Sequence, residues 1–576
     1  MPLKIKRFLS DNQATKILVL FLALWFTFSV LQAFFTGLHA DEAYYWLYSN
    51  FLEWGYFDHP PMVALFVRAS SFIHNTLGVR LFTCVSNMLS AYFLWLIVKK
   101  YNADIKVYIV LFSSVLLFHI YGFITTPDVP LFFFSVLFLY LYQKYLTKDA
   151  WVIAILLGLV AAALLYSKYH GILLLFFILF SNVKIFKRPT FYLLILTALL
   201  AFAPHIYWQY QNDFPSLQYH LFDRSAEPYQ FNFTLKYLID FVLVSGPLTG
   251  WLLIYYAYKQ KTDNDIFFRG LKFSLVGIFV FFLLSTLKGE VQAHWPLIGF
   301  IPMLILASIQ ISKNQILQNK RWVRILFGTN VLLIILCRIL LMVSPQKLNA
   351  INFIANFNGY DTWASEIKNY SKGYPVIFLD GFQDPSLYNF YTQSTKGFGY
   401  DSYRYRKTQF EIFPLEDSIR TRKAYFADMV SHKSRNQDTI ITNKGIYYGV
   451  FLDSVRMYQK VNFVPEDISH QWETNETKTI IFEVSNPYNE DISFVNGGKT
   501  SKCSLRFVIQ KDGEIYDVKD VKPGFENLQI SSKSFKKISI KISAPSQKGN
   551  YKFFISIKTD PFAGSRNSRM MSMKVN

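Results

Sequence analysis

Cysteine and charged residues are both scarce in this 576-residue chain. Its three cysteines cannot supply a disulfide framework, and only 17% of its residues are charged. With 52% hydrophobic and 18% aromatic residues, the composition excludes a disordered chain, a collagen-like repeat and an ordinary soluble enzyme. The sequence also lacks internal repeats and long low-complexity linkers. Most of the chain is therefore expected to lie in lipid.

Apolar runs of spanning length recur from the N-terminus to about residue 343 and then stop. A helix needs about 20 apolar residues to cross the hydrocarbon core. The runs predict about eleven spans, at 17–38, 79–98, 107–124, 130–146, 151–167, 171–186, 190–208, 237–257, 271–287, 295–311 and 322–343. The first run is too long for a signal peptide and ends without a small-residue cleavage site, so we expect it to remain as a span.

Basic residues are distributed unequally between the two sides of these spans. Connections 1–16, 99–106, 144–148, 184–188, 259–272 and 313–324 contain 20 Lys and Arg residues. The alternate connections contain six, namely Arg68, Arg80, Lys168, Arg224, Lys236 and Lys288. Cytoplasmic connections carry the excess of basic residues, so we expect a cytoplasmic N-terminus and an external C-terminal part. The net charge of +20 is then a topology signal, and no nucleic-acid partner is expected.

The pattern changes after residue 343. Residues 345–455 mix short apolar strands such as 376–379 and 439–442 with helix-like stretches, which predicts a small α/β domain. From about residue 456, alternation at period two in 479–484, 505–509, 538–542 and 553–557 predicts an antiparallel β-sandwich. We therefore expect a polytopic α-helical membrane domain, 1–344, followed by extracytoplasmic domains at 345–455 and 456–576.

Two acidic motifs occupy the first outer connection, which is long and rich in Tyr and Trp. Asp41 and Glu42 follow the first span directly, and Asp58-His59 precedes a Pro-Pro pair. Asp41 could instead be only a helix N-cap, where a carboxylate is favourable. Asp58-His59 could likewise be a turn before a helix that begins with proline. Spacing alone leaves both alternatives open.

Further ionisable residues lie at the other outer span ends: Asp128, Lys168, His170, Lys288, Glu290 and His294. Each has an ordinary explanation, since Asp128 could cap a helix and the Lys168 side chain could extend to water. Their convergence on one side of the membrane is harder to explain in this way. Ionisable groups at membrane depth are costly and usually functional, so the pattern predicts a site at the outer face.

Over roughly residues 1–345 the sequence resembles the GT-C glycosyltransferases. The likeness rests on the Asp41-Glu42 pair, on the Tyr-Phe-Asp-His-Pro-Pro motif at 56–61, on Gly-Val-Arg at 78–80 and on Pro127-Asp128. Within that family, the sequence is similar to the dolichyl-phosphate-mannose–protein mannosyltransferases and to the bacterial aminoarabinose–lipid A transferases. The family implies sugar transfer from a polyprenyl-phosphate carrier to an acceptor outside the cytoplasmic membrane.

The resemblance also implies roles for single residues. Asp41 matches the position of the general base, with Glu42 beside it, and Asp128 matches the second acidic position. His59 and Arg80 match positions near the donor phosphate, and Lys168 and Lys288 are further candidates for phosphate contacts because of their charge and outer position. Candidate pocket residues are His170, Glu290 and His294. Some family members bind a divalent metal near this loop, and the candidate ligands here are Asp58, Glu290 and His294. Their spacing lacks the specificity of a paired-cysteine zinc site.

We therefore expect an inverting glycosyltransferase of a bacterial inner membrane, acting at the outer leaflet. Its acceptor would be lipid A, another glycan or a protein hydroxyl, and the C-terminal domains would help to select it. One alternative is a transporter or channel with extracytoplasmic binding domains, which would place charges and broken helices near the bilayer midplane, often in repeated halves. Another is a non-catalytic sensor or scaffold. The acidic residues at span ends and the lack of repeated halves favour the enzyme.

Overall fold

The computed structural model describes residues 11–220, 228–262, 264–343, 352–431, 436–521 and 525–576. The chain divides into two compact units, Met1–Asn358 and Gly359–Asn576. The predicted boundary at 344–345 lies outside the described residues, as do Lys4, Lys6, Arg7 and Arg224 of the charge pattern. Apart from residues 345–358, which belong to the first unit, both predicted outer domains fall in the second unit, and their division from each other remains a prediction.

Helices build the first unit, as the apolar runs predict. In chain order they are α1 Asp11–Phe35, α2 Ala40–Asn50, α3 Met62–Arg68, α4 Thr76–Lys99, α5 Ile105–Phe112, α6 Leu116–Ile120, α7 Asp128–Thr147, α8 Trp151–Ser167, α9 Gly171–Ser181, α10 Pro189–Gln211, α11 Pro215–Gln218, α12 Phe231–Ser245, α13 Gly250–Lys259, α14 Ile266–Ser285, α15 Leu297–Lys313, α16 Ile316–Asn319, α17 Arg321–Val343 and α18 Asn352–Ala355.

Six of the described helices are long and apolar enough to cross a membrane: α1, α4, α7, α10, α14 and α17. Helices α12 and α13 make a seventh span if they are counted together, with a bend of 87° between them. Three shorter apolar helices, α8, α9 and α15, occupy other predicted spans. Helix α15 is buried along nearly all of its length, so the other helices pack around it.

The predicted span 107–124 is not one helix, because α5 and α6 are separated at Ser113–Val115. Backbone groups released by such a break need partners when no water is present. The Asn330 amide of α17 supplies two of them: it donates to the Ser114 carbonyl (3.0 Å) and accepts from the Leu248 N–H (2.9 Å). Leu248 lies in the bend between α12 and α13, so the Asn330 side chain bonds one backbone group in each of the two breaks. The described helices therefore include fewer uninterrupted crossings than the eleven expected.

The second unit begins with a mixed sheet that carries the predicted α/β domain. Its strands are β1 Val376–Leu379, β2 Gly397–Tyr400, β3 Ala424–Asp428, β4 Asp438–Thr442 and β5 Gly445–Leu452, in the order β2-β1-β3-β5-β4. Strand β1 pairs in parallel with both β2 and β3, with Val376 opposite Gly397 and Tyr425. The helices of this part are α19 Tyr360–Ser371, α20 Gln383–Thr392 and α21 Leu415–Ile419.

The remaining strands form a six-stranded and a three-stranded sheet that enclose one apolar core, as the period-two alternation predicts, and a small two-stranded sheet of β9 and β12. They are β6 Asn462–Pro465, β7 Gln471–Trp472, β8 Thr477–Ser485, β9 Ile492–Ser493, β10 Cys503–Lys511, β11 Glu514–Asp520, β12 Gln529–Ile530, β13 Phe535–Ser543, β14 Gly549–Thr559, β15 Ser565–Arg566 and β16 Met571–Val575. The sheet β11-β10-β14-β16-β7 faces the sheet β13-β8-β6. Buried Phe482 and Ile540 of one sheet and Phe507 and Phe553 of the other share the core. The helical membrane domain followed by strand-rich domains is confirmed.

Candidate active site

Helix α2 presents Asp41 at its first turn. His39 is the N-cap: its Nδ1 accepts from the Asp41 N–H (3.3 Å), and the Glu42 carboxylate accepts from the His39 N–H (3.1 Å). This reciprocal pair is a capping box. The Asp41 side chain is 43% exposed. Asp41 is therefore not the cap that the sequence left open, and its carboxylate lies 3.6 Å from His39 Nδ1.

Glu42, the next residue, is fully buried in an ion pair with Arg80 of α4. The Arg80 Nε and Nη2 atoms donate to the two carboxylate oxygens at 2.7 and 2.5 Å, and the Thr125 N–H donates to Glu42 Oε1 (2.9 Å). Arg80 also donates to the carbonyl groups of Ala33, Thr36 and Gly37. All five guanidinium N–H groups are thus engaged within the protein. This geometry favours a positioning role for Glu42 and Arg80 over the substrate contacts expected from the sequence.

Asp128 begins α7 and forms the second charged group of the site. Its two carboxylate oxygens accept from Lys168 Nζ at 2.9 and 3.0 Å, and both side chains are buried. The Nε2 atom of His294 lies 3.7 Å from Asp128 Oδ2, and this imidazole is 33% exposed. Lys168 is positioned by the break between α8 and α9, where its backbone is extended. The structure therefore brings together three side chains from distant parts of the sequence.

Tyr45 links these groups. Its ring is buried on α2, and burial first, then the charges of Asp41, Asp58 and Asp128, raise the pKa of Tyr45 well above its usual value. The three carboxylates act on the same phenol, so they share one neighbourhood. Their convergence was expected from the outer position of the motifs. In the sequence, Tyr45 is only one of many aromatic residues of this connection.

The loop between α2 and α3 supplies Asp58 and His59. Tyr48 donates to Asp58 Oδ1 (2.7 Å), while the His220 Nε2 donates to the Asp58 carbonyl (2.9 Å). Tyr48 also stacks on Tyr56, with ring centroids 3.9 Å apart. The His59 ring lies 6.4 Å from that of His220, measured between centroids. The loop is therefore ordered by buried tyrosines and by a histidine from beyond α10, a residue that sequence reasoning missed because no motif surrounds it.

Desolvation lowers the pKa of His59 to about 3, against the opposing effect of the Asp58 carboxylate. His59 is therefore a neutral imidazole near pH 7, and it can donate or accept a hydrogen bond but adds no fixed positive charge. Lys168 also lies close enough to lower the pKa of His59.

The low pKa of His59 predicts a pH-dependent stability. Between about pH 3 and pH 6.5 the unfolded chain binds a proton at this position that the folded chain does not, so stability is complete above pH 6.5 and decreases as the pH falls. At pH 5.5 the loss should be about 1 kcal/mol. Unfolding of the wild type and of His59→Gln should be compared at pH 7.5 and 5.5, with exposed His74→Gln as the control. An equal decrease in the wild type and in His59→Gln would contradict the assignment.

The remaining predicted residues lie at the margin of the site or outside it. The His170 ring packs against Phe282 and Trp295, with centroids 5.2 and 5.5 Å apart. The Lys288 side chain is exposed, and Glu290 forms an exposed ion pair with Lys236. Glu290 is therefore paired away from the Asp128–Lys168 pair, and Lys288 is open to solvent.

A metal site at Asp58, Glu290 and His294 is not formed. Glu290 is paired with Lys236, His294 lies beside Asp128, and Asp58 accepts from Tyr48. Among the residues that the structure describes, no three His, Cys, Asp or Glu side chains are grouped so that they could hold a metal ion. The candidate ligands therefore differ from the arrangement that a divalent ion would require.

Comparisons with known proteins agree with this architecture. Residues 58–208 match the family model of the dolichyl-phosphate-mannose-protein mannosyltransferases. Two crystal structures of ArnT from Cupriavidus metallidurans share the fold, one in the apo state (TM-score 0.57) and one bound to undecaprenyl phosphate (TM-score 0.55). Each is 12% identical in sequence, and each alignment covers 76% of this chain and 98% of the ArnT chain. No curated protein sequence matches significantly. Residues 58–208 thus match a mannosyltransferase family, and the chain shares the fold of ArnT.

Proposed function

We propose that this protein transfers a monosaccharide from a polyprenyl-phosphate donor to an acceptor hydroxyl outside the cytoplasm. The observation that carries the proposal is the arrangement around Tyr45, where a partly exposed Asp41 lies near the buried Asp128–Lys168 pair. The fold is shared with an ArnT structure that contains undecaprenyl phosphate. Together they provide a base, a cationic group and a scaffold suited to a lipid-linked donor.

The proposed reaction is a single displacement at the anomeric carbon. The acceptor oxygen attacks that carbon and transfers its proton to Asp41, while the bond to the phosphate oxygen breaks and the lipid phosphate leaves with the electron pair. Configuration at the anomeric carbon is inverted. A positioned general base contributes about 10²–10⁴-fold to such a step.

The departing phosphate gains negative charge, which a nearby cation would stabilise. Lys168 and His294 are the proposed partners, since both lie beside Asp128. The Asp128 carboxylate orients the Lys168 ammonium group through two hydrogen bonds. Neutral His59 is proposed to donate a hydrogen bond to the same phosphate. Arg80 is assigned the positioning role that its buried contacts support.

Transfer should be tested directly with purified protein in bilayers. The protein is incubated with polyprenyl-phosphate sugars that carry an isotopic label, and release of polyprenyl phosphate and labelled acceptor is followed. Lipid A, a glycan and a Ser/Thr peptide serve as alternative acceptors. Turnover with any one donor supports the proposal, whereas donor movement across the bilayer without cleavage would favour the transporter alternative.

We propose an inner-membrane location with the site and the C-terminal unit outside, on the strength of the uneven basic residues. Accessibility tags test this orientation. A tag after Asn576, or one between α10 and α12, should react with an impermeant reagent added from outside. A tag within 313–321 should react only after the membrane is opened. A protected C-terminal tag in intact cells would reverse the orientation and place the site in the wrong compartment.

A further inference from the structure

Arg338 is a buried cation in α17, the last span of the first unit. Its residue exposure is 5%, and among the described residues no carboxylate lies within ion-pair distance of it. Three aromatic rings surround the guanidinium carbon instead, with centroids at 4.3 Å (Phe28), 5.4 Å (Phe123) and 5.9 Å (Trp25). A charge inside a membrane domain is costly and usually functional.

The polar contacts of Arg338 are incomplete. Its Nε donates to Gln32 Oε1 (2.6 Å), and its Nη1 lies 3.2 Å from His119 Nδ1. The Nη2 atom is buried and has no hydrogen-bond partner among the residues that the structure describes. A buried cation without a carboxylate partner loses its hydration without the compensating attraction of an ion pair. Stability of the fold therefore does not explain why a cation occupies this position.

The same contacts lead to the broken helix. His119 Nε2 donates to the Ser113 carbonyl (2.7 Å), which leaves Nδ1 to accept from Arg338. Beside it, Asn87 accepts from Trp25 Nε1 and donates to the carbonyl groups of Phe118 and Tyr121. These bonds fix α6 and the start of the segment that follows it. Arg338 is thus one end of a network that determines where residues 121–126 lie.

Phe123 connects this network to the active site. The centroid of its ring lies 5.4 Å from the guanidinium carbon of Arg338 and 5.8 Å from that of Arg80. Two residues later, the Thr125 N–H donates to Glu42, the partner of Arg80. The segment then enters α7 at Asp128. A shift of the Phe123 ring would therefore move Thr125, which contacts Glu42 beside Asp41, and it would also move Asp128.

We propose that Arg338 is a positioning residue. Through Phe123 and His119 it fixes residues 121–126, and this segment sets the position of Asp128 relative to Asp41. This inference rests on the proposed transferase function. Small displacements in an active site can cost about 10²-fold in rate. Arg338→Met should therefore lower kcat by about 10-fold or more and leave the donor KM within about threefold. Its midpoint of thermal unfolding should fall, because Gln32 Oε1 and His119 Nδ1 lose their donor.

The control is Arg324→Met, an exposed arginine on the same helix, which should leave all three quantities unchanged. A merely structural role predicts that Arg338→Met lowers only the unfolding temperature and keeps a normal kcat per folded molecule. That result would overturn the proposal. If Arg338→Met does not fold, Phe123→Leu addresses the same link, and a normal kcat in that variant would also overturn it.

Hydrogen exchange separates this inference from the proposed function. In Arg338→Met the backbone N–H groups of residues 121–126 should exchange faster than in the wild type, whereas those in α14 should not change. Unchanged exchange in 121–126 would overturn the positioning role even in an active enzyme. If the wild type transfers no sugar from any donor, the proposed function fails, and the exchange result still decides whether Arg338 fixes the segment.

Discussion

The Asp41→Asn variant is expected to bind the donor normally and to transfer its sugar at least about 10²-fold more slowly than the wild type. The substitution keeps the size of the side chain and removes the oxygen that would take the acceptor proton. Because the Asp41 carboxylate is partly exposed, no buried ion pair is broken by the change. Donor binding and single-turnover transfer should be measured on the same preparation.

The structure removes the main competing explanation for such a result. His39 caps α2, so slow transfer in Asp41→Asn cannot reflect the loss of a helix cap. Glu53→Gln is the matched control, because Glu53 is an exposed carboxylate of the same connection, and this variant should transfer normally. Near-normal transfer by Asp41→Asn would show that Asp41 is not the general base. Asp128 would then be the remaining acidic candidate.

Arg80→Met and Glu42→Gln are each expected to destabilise the fold by about 3–5 kcal/mol, because each leaves a buried charge or its partner groups uncompensated. Both side chains are fully buried, so solvent screening does not reduce the effect. The double variant Arg80→Met/Glu42→Gln should recover much of that loss, since no charge then remains in the pocket. Chemical unfolding in detergent or lipid discs measures all three.

The same variants separate positioning from contact with substrate. Arg68→Met serves as the control, because Arg68 is exposed at the end of α3 and its loss should change stability by less than about 0.5 kcal/mol. A contact with the donor phosphate predicts a different result, in which Arg80→Met unfolds normally and the donor KM rises. That outcome would restore the phosphate role expected from the sequence for Arg80.

Local patterns were sufficient for most secondary structure. The strand at 376–379 was predicted at its observed bounds, and the longer runs at 479–484 and 553–557 lie inside β8 and β14. Period-two alternation identifies such strands because one face of each sheet is buried. The apolar runs likewise identified α4, α7 and α10. The break at Ser113–Val115 was missed, because its partner Asn330 is distant in sequence and hydropathy does not register a single amide.

By itself, the sequence determined the division into a membrane part and a strand-rich part, and it pointed to Asp41 and Asp128. Apolar length and alternation are local properties, and the motifs retain their order along the chain. Only the tertiary structure decided how charges are paired. Glu42 binds Arg80, Asp128 binds Lys168 and Glu290 binds Lys236. The two partners of each pair are far apart in the sequence, and motif spacing does not predict which of them meet. Pairing depends on which helix ends meet after packing, and that is why two neighbouring acids, Asp41 and Glu42, have an accessible and a buried carboxylate.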